Sequence, residues 1–162
     1  MAPGPDQGSQ VPGDLSHLGV LGPLLYRHLD HHINRDQVDL ILPNPTHPTW
    51  PVRHTELLVA AMDAAGPNQW AFDHPAPTHL VKARPTGRSL GLDRAGRHTA
   101  AMALRAALDV RQPSQMAGRR LVVVDDVTTT GAQLRAVADV LLRYGAAEVT
   151  ALVLAATTRA LA

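Results

Sequence analysis

The clearest hydrophobic pattern lies in the last third of the chain, where continuous apolar runs alternate with helically spaced ones. The run LVVVD at 121–125 predicts a strand buried on both faces, and EVTALVLA at 148–155 predicts a second strand. Between them, apolar positions at helical spacing predict a helix over 132–144, with Gly145 as its C-terminal cap. The residues that join the first strand to this helix, 126–131, are expected to form a turn.

The first part of the chain is less regular, because twelve of the thirteen prolines in the whole sequence precede residue 86, and proline interrupts helices and strands. Residues 1–14 are rich in proline, glycine and polar side chains, and we expect them to form a disordered tail. The rest of this part predicts helices over 15–34, 53–65 and 98–110, strands over 38–42 and 79–83, a stiff proline loop over 43–51, a loop over 66–77 and a mobile basic loop over 84–97.

Strands that alternate with helices predict an α/β fold, with a mostly parallel central sheet and helices on both faces. The length of 162 residues fits one domain, which we place at 15–162. In such sheets, ligands bind at the carboxyl ends of the strands. We therefore look for chemistry in the residues that follow each predicted strand.

Composition narrows the class of protein. The chain has no cysteine, which excludes disulfides, thiolate zinc sites, iron–sulfur clusters and a cysteine nucleophile. No apolar run approaches the roughly 20 residues that a membrane helix needs. The N-terminus also lacks the basic and then apolar pattern of an export signal. We therefore expect a cytoplasmic protein that has no membrane partner.

The net charge of +1 hides an uneven distribution along the chain. Residues 1–81 carry three basic and eight acidic side chains, whereas residues 82–120 carry nine basic and two acidic ones, a balance of +7. A general nucleic-acid binder is basic over a broader surface, and this segment has no interleaved aromatic residues for base stacking. We therefore consider nucleic-acid binding the weaker interpretation of this basic segment, and a localised site for a small anion the better one.

The run DDVTTTG at 125–131 carries the most specific chemistry. It places Asp125 and Asp126 at the carboxyl end of a buried strand, directly before hydroxyl side chains and a helix N-terminus. Hydroxyls, free backbone N–H groups and the positive end of a helix dipole together suit a phosphate monoester. The carboxylates suit sugar hydroxyls or a metal ion instead. A phosphate cradle beside two hydroxyl acceptors describes a ribose 5-phosphate.

Three other interpretations of this run are weaker. Ordinary helix capping explains an isolated Asp-Thr pair, but not the whole run DDVTTTG after four apolar residues. A phosphoacceptor receiver domain needs a further Asp and a Lys on later strands, and no Lys follows Asp126. A nucleoside-triphosphate loop needs the pattern G-x-x-x-x-G-K-[ST], whereas the chain has a single Lys, Lys82, outside any such pattern.

The run VVVDDVTTTGA resembles the phosphoribosyl-pyrophosphate (PRPP) signature of type I phosphoribosyltransferases, and the ComF-like branch is the most similar one. That branch also has the pattern D-x-I-x-P-x-P, which is matched at 39–45. Its basic motif is matched by Lys82, Arg84, Thr86, Leu92 and Arg97. The resemblance covers about 38–156, in the expected order and spacing.

The resemblance implies a type I phosphoribosyltransferase fold with a small N-terminal hood and a Mg²⁺-dependent transfer of phosphoribose from PRPP to a nitrogen acceptor, a nucleobase or related heterocycle. Asp125 and Asp126 are the implied catalytic carboxylates, with indirect Mg²⁺ contact, and Arg84 is the implied catalytic cation. The implied PRPP-binding residues are Asp125, Asp126, Val127, Thr128, Thr129, Thr130 and Gly131. The implied pyrophosphate loop is Pro43, Asn44, Pro45 and Thr46, and the implied mobile basic loop carries Lys82, Arg84, Arg88 and Arg97.

Departures from the family pattern leave the acceptor open. Ser89 and Ala100 stand where the family has Gln and Asn, and 53–56 replaces its Arg-Gly-Phe-Asn cluster. The hood that selects the acceptor is expected from 15–35 or 66–78. A non-catalytic protein that senses PRPP or a nucleotide is the alternative function, and a homodimer is one option for the assembly.

The aromatic and histidine side chains carry weaker signals. The adjacent pair His31 and His32 points to different helix faces, which favours a surface role over metal binding. His47 lies in the proline loop, where it is a candidate ligand contact. Trp50 and Trp70 flank irregular segments, and packing is the favoured role for both, with base stacking as the alternative.

Overall fold

In a computed structural model, the structure describes residues 17–67, 69–74, 79–86, 94–128 and 131–156. The tail predicted at 1–14 lies outside these residues. In chain order the elements are α1 (Leu18–His32), β1 (Leu40–Pro43), α2 (His54–Ala65), β2 (Leu80–Lys82), α3 (Arg94–Ala107), β3 (Leu108–Val110), β4 (Arg120–Thr128), α4 (Ala132–Arg143) and β5 (Glu148–Ala156).

The central sheet is parallel and has the strand order β1-β4-β5. Leu121 to Val124 of β4 pair with Leu40 to Pro43 of β1 on one side, and β5 pairs along β4 on the other. A single parallel bridge joins Ile41 to Phe72 on the outer side of β1. At the amino end of the strands, Arg120 donates from its backbone N–H and its guanidinium to Asp39. This paired contact fixes the register of β1 against β4, and so fixes which residues meet at the carboxyl end.

Side chains of β4 alternate between two hydrophobic clusters, as expected for a strand covered on both faces. Val122 and Val124 pack in the cluster with α1 and α2, whereas Leu121 and Val123 pack in the cluster with α4. The α/β class with a parallel sheet and helices on both faces is therefore confirmed. Within the described residues, no helix is long and apolar enough to cross a membrane.

Helices α1 and α2 approach each other closely at Gly22. A Cβ atom added there would lie 2.5 Å from the Cβ of Ala61 and 2.7 Å from its backbone carbon. At Gly19, one turn earlier, an added Cβ meets nothing within 4 Å. The contact between the two helices therefore depends on the absence of a side chain at Gly22, but not at Gly19.

Gly22→Ala is expected to lower the free energy of unfolding by about 1–3 kcal/mol, because the methyl group forces α1 away from α2. Alanine is the better helix former, so Gly19→Ala is the matched control and is expected to be neutral or slightly stabilising. Urea unfolding of both variants checks this pair. A stabilised Gly22→Ala variant would contradict the close approach.

Long-range strand pairing modifies two local predictions. The strand predicted at 79–83 is present as β2, but it pairs antiparallel with β3 in a separate two-stranded sheet instead of joining the parallel sheet. The last turn of the helix predicted to residue 110 is instead β3, since α3 ends at Ala107. In both cases, pairing between residues far apart in the chain overrides the local apolar spacing.

The strand–helix–strand unit at the end of the chain follows its prediction more closely. Gly145 has φ = 90° and ends α4 in a Schellman motif, with hydrogen bonds from Gly145 N to Leu142 O and from Ala146 N to Leu141 O. The turn predicted at 126–131 was wrong in its first half, because β4 continues to Thr128 by pairing with Ala155 and Ala156. The predicted basic loop also ends early, since α3 begins at Arg94.

Candidate functional site

A cavity of about 270 Å³ opens at the carboxyl ends of β1 and β4. It is bordered by the loop after β1, the first turn of α2, the end of β2, the middle of α3 and the residues at the end of β4 and the start of α4. This is the edge at which parallel α/β sheets bind their ligands. The cavity therefore gathers segments that are up to 90 residues apart in the sequence, from Asn44 to Gln133.

Asp125 and Asp126 both line this cavity, but they have different surroundings. Asp125 is 8% exposed, whereas Asp126 is half-buried. Burial is the largest influence on Asp125 and, with the nearby charge of Asp126, raises its pKa to about 6, although a hydrogen bond from Asn44 acts in the opposite direction. Its Oδ1 also accepts from the N–H of Asp126 at 3.1 Å. The site therefore holds one carboxylate in a poorly solvated position and a second one closer to water.

Asn44 couples the loop after β1 to these carboxylates. Its backbone N–H donates to Val124 O at 2.8 Å, which continues the β1–β4 ladder by one residue. Its side chain is 3% exposed and contacts Asp125 through the amide. Its Oδ1 has no hydrogen-bond partner within the described part of the chain. The wall of the cavity therefore holds a buried acceptor oxygen whose hydrogen-bonding capacity is unused by the described residues.

Hydrogen bonds from α2 hold the loop that follows Asn44. The Thr55 hydroxyl donates to Asn44 O at 2.6 Å and lies 3.0 Å from Glu56 Oε2. The Thr46 hydroxyl donates to the Glu56 carboxylate, with distances of 2.9 and 3.1 Å to its two oxygens. Glu56 thus anchors the loop predicted to bind pyrophosphate, a role that sequence reasoning missed. The signal was a carboxylate in the first turn of a helix that directly follows a loop rich in hydroxyls.

The structure separates the predicted basic residues. Lys82 lines the cavity, and burial lowers its pKa. No carboxylate pairs with it among residues whose placement is described. Arg84, in contrast, donates from its guanidinium to Ala106 O at the end of α3. Arg88 and the side chain of Arg97 lie outside the described residues.

The predicted phosphate cradle is described only at its two ends. Gly131 adopts a left-handed conformation, with φ = 65°, and its N–H donates to the Thr128 hydroxyl at 3.1 Å. This glycine turns the chain from β4 into α4, a backbone geometry that is strained for other residues. Val127 is exposed and lines the cavity. Thr129 and Thr130 lie outside the described residues.

The two tryptophans occupy different environments. Trp70 is buried in the cluster with α1 and α2, in agreement with a packing role. Trp50 is 43% exposed and lines the cavity, so the packing role favoured for it was wrong. His47 also lines the cavity, whereas His31 and His32 are exposed on α1. The described residues contain no group of three or more metal-binding side chains.

Comparisons with known proteins agree with this geometry. Residues 86–160 match the family model of the phosphoribosyl transferase domain. This match includes Asp125, Asp126 and the turn into α4. The matched stretch makes up just under half of the chain and is similar to a phosphoribosyl transferase domain.

Solved structures extend the likeness to most of the chain's fold. One is described as the allosteric regulatory enzyme of purine biosynthesis, with a TM-score of 0.52 and 21% identity over 86% of this chain and 25% of the other. A second is the glutamine PRPP amidotransferase from B. subtilis complexed with ADP and GMP, with a TM-score of 0.52 and 21% identity over 85% of this chain and 26% of the other. The chain thus spans about a quarter of these proteins. A search of curated proteins finds no match.

The matched residues include β4 and α4 but not the loop after β1. The type I phosphoribosyltransferase fold predicted from DDVTTTG is confirmed. The ComF-like branch stays a prediction, because the pattern at 39–45 that favours it precedes the matched residues. The loop after β1, Trp50 and Glu56 also lie before them.

Proposed function

We propose that the protein transfers phosphoribose from PRPP to a nitrogen acceptor, a nucleobase or related heterocycle, and releases pyrophosphate. The observation that carries this proposal is the placement of Asp125 and Asp126 in one cavity, one short turn before the left-handed Gly131 that precedes α4. The family match supports the same reaction class. Each part of the cavity suits one part of PRPP.

The turn into α4 suits the 5-phosphate. The first N–H groups of a helix have no partner within the helix, and the helix dipole places positive charge there. Gly131 adds no side chain beside these N–H groups, which lets a phosphate approach the backbone closely. We assign the 5-phosphate to Thr128, Thr129, Thr130 and Gly131.

The carboxylates suit the ribose hydroxyls. Each carboxylate oxygen accepts hydrogen bonds, and sugar hydroxyls are donors that carry no charge for the buried Asp125 to oppose. The unpartnered Oδ1 of Asn44 adds a further acceptor beside Asp125. We propose that this group of acceptors orients the ribose ring and holds C1 toward the nitrogen acceptor.

The residues present also suit Mg²⁺, which prefers oxygen ligands and commonly shares its coordination with substrate phosphates and waters. Two adjacent carboxylates in a cavity large enough for a diphosphate fit this preference, and the described residues have no third acidic ligand that would complete a protein-only site. Asp125 and Asp126 would hold the ion indirectly, through water or the ribose hydroxyls. When bound, Mg²⁺ neutralises charge on the diphosphate.

The reaction breaks the bond between C1 and the pyrophosphate oxygen and forms a bond between C1 and the acceptor nitrogen, which then loses a proton. Positive charge develops on the ring and negative charge on the leaving group. Asp125 and Asp126 stabilise the ring charge, while Lys82 and the loop 43–46 stabilise the pyrophosphate. Arg84 is a candidate for the same role, for which its guanidinium would have to leave its hydrogen bond to Ala106 O and donate to the diphosphate instead.

Lys82→Met is expected to weaken PRPP binding roughly tenfold or more, because a hydrogen bond to a charged group contributes about 1.5–3 kcal/mol. The half-buried ammonium has no carboxylate partner among the described residues, so the anion is its natural partner. Arg111→Met removes an exposed cation on the loop after β3 and serves as the control. Isothermal titration with PRPP and Mg²⁺ measures both. Equal losses in the two variants would indicate a general charge effect.

Pyrophosphate release from PRPP and Mg²⁺, followed with adenine, uracil, nicotinic acid and ammonium as separate acceptors, tests the function itself. Release that depends on one acceptor, with the matching ribonucleotide as product, supports the transferase. Tight PRPP binding without turnover on any acceptor supports the PRPP-sensing alternative instead. Absence of PRPP binding contradicts both.

A further inference from the structure

Three aromatic side chains form a cluster at the cavity, which we name the Trp50 cluster: Trp50, His47 and His54. The rings of His47 and Trp50 are stacked, with centroids 5.9 Å apart and an interplanar angle of 26°. The rings of Trp50 and His54 are tilted by 46°, with centroids 5.3 Å apart. All three side chains line the cavity that contains Asp125 and Asp126.

The Trp50 cluster is fixed in position from two sides. The Thr49 hydroxyl lies 2.9 Å from Nδ1 of His47, and the N–H of Trp50 donates to His47 O at 3.1 Å, which closes a turn in the proline loop. His54 is the first residue of α2 and is positioned by that helix. Trp50 nevertheless remains 43% exposed. An exposed indole held in place by its neighbours has little rotamer entropy left to lose when a ligand packs on it.

The part of the cavity contributed by α3 is apolar. Ala100, Ala101 and Leu104 line it, and none of these side chains can form a hydrogen bond. The cavity therefore combines polar groups at the end of β4 with an aromatic cluster and an apolar surface that have no assigned partner in PRPP.

We infer that the Trp50 cluster is the binding site for the nitrogen acceptor, and that the acceptor is a planar heteroaromatic ring. This inference rests on the proposed function. The ring packs against the indole of Trp50, while the ring nitrogens of His47 and His54 are hydrogen-bond partners for its heteroatoms. An acceptor as small as ammonia has no surface to stack and would leave the cluster unused.

The test compares Trp50→Leu, Trp50→Phe and the control Tyr144→Leu in the full chain. Tyr144 is 45% exposed at the end of α4, close to the exposure of Trp50, and it is not among the cavity residues. Adenine, uracil and nicotinic acid are titrated separately, each with PRPP and Mg²⁺ present. Intrinsic fluorescence and the KM of the acceptor are the readouts, and the affinity for PRPP alone is measured in parallel.

One base is expected to quench the wild-type fluorescence, and Trp50→Leu is expected to raise its Kd and KM five- to a hundredfold, since stacking on an aromatic side chain contributes about 1–3 kcal/mol per base. Trp50→Phe keeps most of the affinity but loses the quenching, and Tyr144→Leu changes neither. PRPP affinity stays within about twofold in Trp50→Leu, as expected when the stacking energy belongs to the acceptor alone.

Three results would overturn the inference while leaving phosphoribosyl transfer intact. These are an unchanged acceptor KM in Trp50→Leu, an equal loss of PRPP and acceptor affinity, and turnover with ammonium but with no base. If the wild-type chain does not bind PRPP, the proposed function fails, and the acceptor assignment fails with it.

Discussion

Replacing both carboxylates, as Asp125→Asn with Asp126→Asn, is expected to weaken PRPP binding in the presence of Mg²⁺ by at least about a hundredfold and to abolish pyrophosphate release. The two groups contact the ribose hydroxyls in our assignment, and each hydrogen bond to a charged acceptor contributes about 1.5–3 kcal/mol. The amides keep the size of the side chains, so the loss reports charge and acceptor strength rather than packing.

Isothermal titration with PRPP measures this loss, and thermal unfolding of the double variant shows whether the fold is retained. Asp109→Asn is the matched control, because Asp109 is an exposed carboxylate on β3 that does not border the cavity. Unchanged PRPP binding in the double variant would mean that the site assignment is wrong, whereas the fold would be unaffected.

Asp125→Asn alone is expected to stabilise the ligand-free protein above pH 6. Burial raises the pKa of Asp125 from an ordinary value of 3.8 to about 6, so the folded state disfavours the ionised carboxylate. This penalty is absent below about pH 4, grows between pH 4 and 6, and is fully present above pH 6. A shift of this size corresponds to about 3 kcal/mol, which the amide removes.

Chemical denaturation in EDTA at pH 4, 5, 6, 7 and 8 measures this dependence. The difference in unfolding free energy between Asp125→Asn and wild type is expected to rise through the window from pH 4 to 6 and then to level off. Asp126→Asn, at a half-buried position, is the comparison and is expected to give a much smaller gain. A constant difference at all five pH values would show that packing, rather than ionisation, distinguishes Asp125 from Asn. A residue that costs stability in the empty protein is typical of functional sites.

The sequence predicted the β4–α4–β5 unit well, because every signal in it is local. Four apolar residues define the strand, and a glycine with positive φ stands at each end of α4. Asp125 and the loop after β1 are far apart in the sequence, but each stands at the carboxyl end of a strand in one parallel sheet. Such ends meet at one edge of the sheet, which is where ligands bind. The family resemblance rested on this unit, and the match to the phosphoribosyl transferase domain includes it.

Features that depend on distant residues were not predictable in the same way. The β2–β3 pairing joins residues about 28 positions apart, and the apolar spacing around Leu108 fits a helix equally well. The anchoring of Thr46 by Glu56 depends on how the proline loop folds back onto α2. The exposure of Trp50 depends on the cavity beside it. The sequence around a tryptophan in a proline loop is the same whether its side chain is buried or exposed to solvent.

The separation of the two sheets has a mechanical consequence for the cavity. The carboxylates stand on the central sheet, whereas Lys82 stands on the small antiparallel sheet, and no ladder of backbone hydrogen bonds joins the two among the described residues. The small sheet is attached through apolar packing of Leu80 and Val110 in the cluster with α4, and α3 is attached to α4 through the ion pair of Arg105 with Asp139. A polar contact also joins the two parts, because Asp73 donates to Ile41 O of β1 and accepts from the N–H of His79, directly before β2. The distance across the cavity between negative and positive groups is therefore set by side-chain contacts, which can adjust to a ligand while every hydrogen bond of the parallel sheet stays in place.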